Sequence, residues 1–125
     1  MPALPEVVRQ AWDNREGPIV LSTVDSDGKP NSIYATCVSK YREDTLIVAD
    51  NFFNKTRANI LADSQATLLF ITKEGKSYQV KGRIEYHTEG LVFDDMKRWN
   101  PTTLPGHAAA ALKVEQVFSG AEQLA

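Results

Sequence analysis

The sequence predicts a mainly β fold, a six-stranded β-barrel with peripheral helices, on three observations. Six segments have the apolar or alternating composition of strands. Short turns join most of them, and Asp27-Gly28 is a typical hairpin signal. The helical segments lie at the start, in the middle and before the last strand, which does not fit the alternating strands and helices of a Rossmann domain. A length of 125 residues fits a single domain spanning 1–125.

The amino-terminal half begins with an amphipathic helix. Apolar residues recur at helical spacing from Leu4 to Trp12, and Gly17-Pro18 is a helix stop signal. The segments that follow are short apolar runs, which are typical of strands. The elements predicted for this half are a helix over roughly 1–15, strands over 19–24, 31–39 and 45–50, and a helix over about 55–63.

The carboxy-terminal half contains three further strands and one helix. Gly82 lies in the middle of a strand, and this position predicts a bulge or a close approach of another backbone. The helix begins after Thr88 and includes Trp99, and Asn100-Pro101 ends it because the residue before a proline disfavours helical geometry. The strands are predicted over 66–72, 78–87 and 110–118, with a loop over 101–107.

Composition and charge exclude several classes of function. The chain is 42% hydrophobic and 24% charged, as in ordinary globular domains, and its net charge of -2 provides no general attraction to nucleic acid or anionic lipid. No apolar run is long enough to span a bilayer, and the start of the sequence lacks the features of a signal peptide. Cys37 is the single cysteine, so no internal disulfide can form. We therefore expect a cytoplasmic protein without a nucleic-acid or membrane partner.

The most informative motif is Asn54-Lys55-Thr56, which follows the strand over 45–50 and opens a helix. Asn54 can cap the helix through its side-chain oxygen, while the first backbone N–H groups of the helix point outward without partners. Lys55 adds a positive charge and Thr56 a hydroxyl donor. Such a set of donors suits a phosphate monoester. A plain helix cap with a solvated lysine is the commoner use of the same pattern, and the local sequence leaves both interpretations open.

The order of elements and two motifs resemble the FMN-binding split β-barrel family. This family includes pyridoxamine 5′-phosphate oxidase and the small FMN-binding proteins of sulfate-reducing bacteria. The small proteins share a His-Lys-Thr-x-Ala-Asn-Val segment, which is Asn54-Lys55-Thr56-Arg57-Ala58-Asn59-Ile60 here. They also share a Ser-Ala-Glu-Gln ending, which is Ser119-Gly120-Ala121-Glu122-Gln123 here, with one inserted glycine. The resemblance runs nearly end to end and implies a six-stranded split barrel that binds FMN noncovalently at a homodimer interface.

The same resemblance implies a set of cofactor-binding residues. The helix-start motif would hold the phosphate, the second strand would lie along the ring and the ribityl chain, and the end of the third strand would lie near the flavin. Trp99 or His107 would be a further residue that covers the ring. The implied residues are Ser32, Ile33, Tyr34, Ala35, Ala49, Asp50, Asn54, Lys55, Thr56 and Gln79, of which Gln79 aligns only loosely.

Three departures argue against a true pyridoxamine phosphate oxidase. Members of that branch carry arginines on the second strand, a basic pair at the helix start and an Arg-x-His tail that holds the substrate phosphate. Here the second strand has no arginine, the helix start has only Lys55, and the tail over 120–125 lacks the motif. A second phosphate site is therefore not expected.

Other chemically capable residues are interpreted as structural. Cys37 is flanked by apolar residues, which predicts a buried small side chain rather than a nucleophile. His87 and His107 do not have the spacing of metal ligands, so no metal site is predicted. Arg57 is predicted to lie on a solvated helix face. Of the adjacent pair Phe52 and Phe53, one should enter the core and the other should face a partner subunit or the ligand.

The first hypothesis for function is a small homodimeric FMN flavoprotein with a redox role. No residue is an evident catalytic acid or base, which favours electron transfer or flavin-dependent reduction, with a small molecule or a protein as redox partner. The alternative is a non-catalytic binding or sensor module of the same barrel that carries FMN or another ligand such as haem or F420. A third possibility is an interaction barrel with no cofactor.

Overall fold

The computed structural model describes residues 3–125, which form a mainly β fold with three helices. All the strands of this part of the chain belong to one antiparallel sheet. The helices are α1 (Glu6–Asp13), α2 (Lys55–Leu61) and α3 (Leu91–Trp99). The strands are β1 (Ile19–Val24), β2 (Pro30–Ala35), β3 (Val38–Tyr41), β4 (Thr45–Asp50), β5 (Gln65–Ile71), β6 (Ser77–His87), β7 (Ala108–Ser119) and β8 (Glu122–Gln123).

The order of the strands makes the sheet curl into a split barrel. Along the hydrogen-bonded path the order is β2-β1-β5-β6-β7-β4-β3, and β8 pairs with β7. β2 and β3 lie at opposite ends of this path, yet only Thr36 and Cys37 connect them. Three peptide steps reach at most about 11 Å, so the two ends of the sheet must lie close together. The barrel is split between β2 and β3, which do not pair with each other.

The number of strands differs from the prediction, because the segment predicted as one strand over 31–39 forms two. Its first half pairs with β1 and its second half with β4. The chain changes partner at Thr36 and Cys37, where strand composition alone gives no signal. β8 is a further short strand formed by the tail, so the described chain has eight strands instead of six. The other predicted elements are present, most with bounds shifted by one or two residues. The first helix, predicted over roughly 1–15, is shorter and spans Glu6–Asp13, and residues 1 and 2 of that prediction lie outside the described residues.

The core has two parts, and β4 contacts both. Leu46 and Val48 face the main core inside the barrel, whereas Ile47 and Ala49 face a smaller cluster under α3. All six residues of β4 are consequently buried, which explains its continuous apolar sequence. In the main core Trp12 of α1 meets the ring of Phe70 edge-on at 5.2 Å between centroids.

Both the bulge and the close backbone approach that were predicted at Gly82 are present. The register of β6 against β7 shifts between Lys81 and Gly82, and the carbonyl oxygen of Lys113 would lie 1.9 Å from a Cβ atom at this glycine. Any side chain would therefore force the two strands apart.

None of the helices described is both long and apolar enough to cross a membrane.

Candidate functional site

A cavity of about 350 Å³ lies between β2, the end of β4 and the start of α2. Its size falls in the usual range for small-ligand sites. One side, here called the β2 wall, consists of Asn31, Ile33, Tyr34 and Ala35. The opposite side, the α2 wall, consists of residues 51–56. The remaining lining residues are Thr36, Cys37, Ala49 and Leu104.

The cavity changes from polar to apolar along β2. Asn31 donates a hydrogen bond from Nδ2 to Oγ1 of Thr56 at 3.0 Å, so the start of β2 lies against the start of α2. Ile33 and Ala35 follow on the same side of the strand, because alternate residues share a face. Four strand residues span roughly 13 Å, and at the far end the backbone N–H of Ala49 donates to the carbonyl of Cys37 at 2.9 Å. The lining there is mainly apolar, with Ala35, Cys37 and Ala49, and its polar members are Thr36 and the hydrogen-bonded amide of Asn51.

The polar end presents hydrogen-bond donors. Thr56 is almost fully buried, and because its oxygen accepts the bond from Asn31, its O–H proton is directed elsewhere. Lys55 is exposed beside it. The first backbone bond of α2 runs from the N–H of Ala58 to the carbonyl of Asn54 at 3.1 Å, so the N–H groups before Ala58 have no acceptor within the helix. A phosphate monoester fits this set of donors.

The predicted side-chain cap of α2 is wrong. Asn54 occupies the N-cap position, but its side chain makes no capping hydrogen bond. Its backbone, with φ -136° and ψ -84°, departs from the extended geometry in which an N-cap side chain reaches the helical N–H groups. Asn54 instead lines the cavity.

Seven of the ten residues predicted to bind the cofactor line this cavity, and three do not. The seven are Ile33, Tyr34, Ala35, Ala49, Asn54, Lys55 and Thr56. Ser32 points away, and its Oγ lies 2.8 Å from Oγ of Ser22 on the neighbouring strand. Gln79 lies on β6, opposite Leu69 and Phe118 of the adjacent strands. Asp50 is fully buried behind the α2 wall.

Asp50 is the buried centre of a hydrogen-bond network whose other side chains are partly exposed. Arg57 donates to both of its carboxylate oxygens, from Nε at 2.7 Å and from Nη2 at 2.9 Å. The Tyr86 hydroxyl donates to Oδ2 and the Phe53 backbone N–H donates to Oδ1 at 3.0 Å. The prediction that Arg57 lies on a solvated helix face is right only in part, since 35% of the side chain is exposed but its guanidinium is paired with Asp50. The helix turns this side chain toward the end of β4, which local sequence cannot indicate.

The electrostatics of the network follow from burial and hydrogen bonding. Burial alone would raise the pKa of the Asp50 carboxyl, but the hydrogen bonds from Arg57 and Tyr86 outweigh it and hold that pKa below its ordinary value. Burial raises the pKa of the Tyr86 phenol, and the adjacent Asp50 carboxylate raises it further. The hydrogen bond to Asp50 raises the pKa of Arg57. The trio therefore remains carboxylate, guanidinium and neutral phenol at neutral pH.

A second buried network shapes the apolar end. Asn51 and Asn100 exchange two amide hydrogen bonds, each 3.0 Å, and the Gly106 N–H donates to Oδ1 of Asn51 at 2.8 Å. These bonds hold the loop over 101–107 against the α2 wall, and Leu104 of this loop lines the cavity. Within one chain neither Trp99, half-buried against the core under α3, nor His107, exposed at the end of the loop, lines the cavity.

Several lining residues were missed by sequence reasoning. Asn31 could have been found, because it shares strand parity with Ile33 and Ala35. Leu104 carries no local signal, since only the contact between Asn51 and Asn100 brings its loop to the site. Cys37 was predicted to be a buried small side chain, but it is only half-buried and lies in the cavity lining. The lining residues outside the predicted set of ten are Asn31, Thr36, Cys37, Asn51, Phe52, Phe53 and Leu104, of which one phenylalanine was expected to face the ligand or a partner subunit.

The two adjacent phenylalanines separate as predicted for an extended segment. Phe53 packs against the main core, whereas Phe52 is 77% exposed at the cavity. The lining contains no aspartate, glutamate or histidine among residues 3–125, and these residues hold no cluster suited to a metal ion. The arrangement can therefore bind and orient a ligand that has one anionic end and one flat apolar end.

Comparisons with known proteins agree with this fold. The family profile described as Pyridoxamine 5'-phosphate oxidase matches residues 4–119. An uncharacterised protein of Methanocaldococcus jannaschii is 27% identical over 106 residues, which are 81% of this chain and 71% of that protein. HupZ of Group A Streptococcus has a TM-score of 0.81 at 24% identity over 93% of each chain. An FMN-binding protein of Syntrophomonas wolfei has a TM-score of 0.77 at 21% identity, over 94% of this chain and 83% of that one.

Structures with other ligands share the fold as well. An F420 reductase has a TM-score of 0.69 at 16% identity, over 92% of this chain and 98% of that one. A haem-binding protein of Mycobacterium smegmatis has a TM-score of 0.71 at 13% identity, over 94% of this chain and 53% of that one. At these identities the likenesses show the shared fold.

Proposed function

Because this chain belongs to the pyridoxamine 5′-phosphate oxidase family, we propose that it is a small flavoprotein that binds FMN noncovalently and has a redox role. The observation that carries this proposal is the cavity between β2 and α2. Its donors, Lys55 and Thr56, meet at one end, and its lining becomes apolar toward the other. FMN has a matching polarity, with a phosphate monoester at one end and a flat ring at the other.

The residues of the cavity have distinct roles in this proposal. Lys55 and the hydroxyl of Thr56 hold the phosphate, and Asn31 orients that hydroxyl through its 3.0 Å bond. Ile33 and Ala35 lie along the ribityl chain and the ring, with Leu104 on the opposite side. The bound flavin supplies hydride or single-electron transfer, while the protein binds, orients and shields it.

The β2 wall supports a homodimer. β2 is an edge strand, and its Tyr34 side chain is 78% exposed although it lies beside the cavity. Tyr34, Val20 and Leu69 form a row across β2, β1 and β5 on the outer face of the sheet. The exposed Tyr34 and Leu69 give this face an apolar character that suits a subunit contact, and Phe52 is exposed across the cavity from it. A second copy of the chain would then cover the open side of the cavity.

The lining also narrows the reaction class. In residues 3–125 Lys55 is the one cationic side chain of the cavity, so a single subunit offers one phosphate site and not the two that pyridoxamine phosphate oxidase needs. The same lining contains no aspartate, glutamate or histidine among residues 3–125 for proton transfer to a substrate. We therefore propose electron transfer or flavin-dependent reduction, with a small molecule or a protein as redox partner. A cytoplasmic location, without a nucleic-acid or membrane partner, belongs to the same proposal and fits the single unpaired Cys37.

A second candidate is a non-catalytic binding or sensor module of the same barrel, and a lining without aspartate, glutamate or histidine among the described residues favours it. Such a module would carry FMN, or haem or F420 as bound by structural relatives. Haem is the weaker choice, because His87 and His107 lie outside the cavity lining. Binding of F420 is also less well supported, because its longer anionic tail needs a more basic groove than one with a single lysine.

The absorbance spectrum of the freshly purified protein tests the proposal. We expect a yellow protein that releases FMN on denaturation, as identified by chromatography. A colourless protein that takes up no added FMN contradicts the proposed function. Stopped-flow mixing with reduced nicotinamide then separates the two candidates, because rapid bleaching of the flavin supports an enzyme and unchanged absorbance supports a carrier or sensor.

A further inference from the structure

We propose that Asp50, Arg57 and Tyr86 are positioning residues that set the phosphate-binding end of the cavity, an inference that rests on the proposed FMN function. None of the three lines the cavity, yet all lie directly behind the α2 wall. Their role is to hold Lys55 and Thr56 at fixed positions, not to contact the ligand.

Both carboxylate oxygens of Asp50 accept hydrogen bonds from the protein. Its carboxylate, which has no exposed surface, accepts four hydrogen bonds from Arg57, Tyr86 and the Phe53 N–H. Two donors of one guanidinium on two oxygens of one carboxylate fix the orientation of both groups. Such an arrangement has a single geometry and resists displacement.

The Asp50 carboxylate joins segments of the chain that lie on both sides of Lys55. Asp50 ends β4, Phe53 belongs to the connection, Arg57 lies in α2 and Tyr86 lies on β6. The backbone carbonyl of Asp50 also accepts a bond from the N–H of His107 at 2.8 Å, beside the start of β7. The short connection that forms the α2 wall is therefore anchored to the barrel on both sides of Lys55, two residues before it and two residues after it.

The Arg57 guanidinium donates to this network and does not line the cavity. A guanidinium near the start of α2 is an obvious second cation for a phosphate. Here its Nε and Nη2 donate to Asp50, and Nε also lies 3.2 Å from the Tyr86 hydroxyl. Lys55 thus supplies the charge for the ligand, and Arg57 supplies the geometry. Binding sites depend on such supporting hydrogen bonds, because displacements of about 0.5 Å in the binding groups reduce affinity.

The experiment compares the dissociation constants of FMN and riboflavin, which differ by the phosphate. The variants are Tyr86→Phe, which removes one hydroxyl and keeps the ring, and Arg57→Lys, which keeps the charge and loses the paired donors. For each variant we expect a rise of about tenfold in the dissociation constant of FMN and a change within about twofold for riboflavin. The matched control is Arg83→Lys, because Arg83 forms an exposed ion pair with Asp63 away from the cavity. This control should leave both constants unchanged.

The outcomes separate this inference from the proposed function. If the wild-type protein binds neither flavin, the proposed function fails and the inference fails with it. If the wild type binds FMN but both variants weaken FMN and riboflavin by the same factor, or weaken neither, the positioning role alone is overturned. A lower melting temperature with an unchanged ratio of the two constants also overturns it, because a purely structural role would produce that result.

Discussion

The two walls of the cavity are built in opposite ways. The α2 wall follows β4, whose six residues are all buried. A buried network around Asn51 and a partly buried network around Asp50 hold this wall in place. The β2 wall is an edge strand in which exposed and half-buried residues alternate, and Tyr34 stands outward from it. One wall is therefore organised by its own chain, and the other depends on what covers it. The comparison teaches that the α2 wall is preformed within one chain, whereas the β2 wall is open to a partner subunit or a ligand.

Removing the carboxylate of Asp50 should destabilise the α2 wall and cause the largest loss of folding stability. Asp50→Ala leaves the Phe53 N–H and the Tyr86 hydroxyl without their acceptor, and buried unsatisfied groups cost about 1–3 kcal/mol each. We expect the free energy of unfolding to fall by about 3 kcal/mol in urea denaturation. The matched control is Glu43→Ala, because the Glu43 carboxylate is exposed and lies 4.0 Å from Arg9; it should change the free energy by less than about 1 kcal/mol. Equal effects of the two changes would contradict the rigid character of the α2 wall.

Lys55→Ala tests the preformed wall through its ligand. We expect FMN binding to weaken by about 1–3 kcal/mol, because a charge-assisted hydrogen bond to the phosphate is lost. Riboflavin binding should not change, and Thr56→Val should act in the same direction with a smaller effect. Lys29→Ala, an exposed lysine outside the cavity, is the control. Isothermal titration gives both affinities, and an equal loss for riboflavin would show that Lys55 does not bind the phosphate.

Lowering the pH should have a smaller effect, which is the loss of the stability that the Asp50 carboxylate contributes. The pKa of Asp50 is held below its ordinary value in the folded state, so its ionised form stabilises the fold above the ordinary aspartate pKa of about 4. This stabilisation is lost as the pH falls from there through the lower folded-state pKa. The difference in unfolding free energy between the wild type and Asp50→Asn should therefore shrink below about pH 4. Urea denaturation from neutral to acid pH measures it, and a difference that stays constant would contradict the assignment.

The smallest effect on the free energy of unfolding is expected for a substitution in the β2 wall. Tyr34→Ala should change the free energy of unfolding by no more than about 0.5 kcal/mol at a protein concentration where the chain is monomeric, because the side chain is 78% exposed. The same variant should raise the dissociation constant of the proposed homodimer, as measured by analytical ultracentrifugation. A loss of stability above about 1 kcal/mol in the monomer would show that the β2 wall is also self-supporting.

Much of the site could be predicted because it lies in one continuous segment. Asn54, Lys55 and Thr56 are adjacent in sequence and line the cavity together, and Ile33 and Ala35 share a face through the strand period of two. Ser32 and Gln79 were included through resemblance, and their side chains lie elsewhere, since one residue of register moves a side chain to the other face of a sheet. Arg57 was misinterpreted because its partners lie seven and 29 residues away along the chain.

The sequence by itself determined the mainly β fold, the position of the helices and the close approach at Gly82. Each of these depends on local periodicity, on turn residues or on the absence of a side chain. Tertiary structure alone decided that the segment over 31–39 divides between two edges of the sheet, that Asp50 supports the α2 wall from behind, and that Asn51 and Asn100 bring Leu104 to the cavity. These features depend on contacts between residues far apart in the chain, and local sequence preferences carry no information about such contacts.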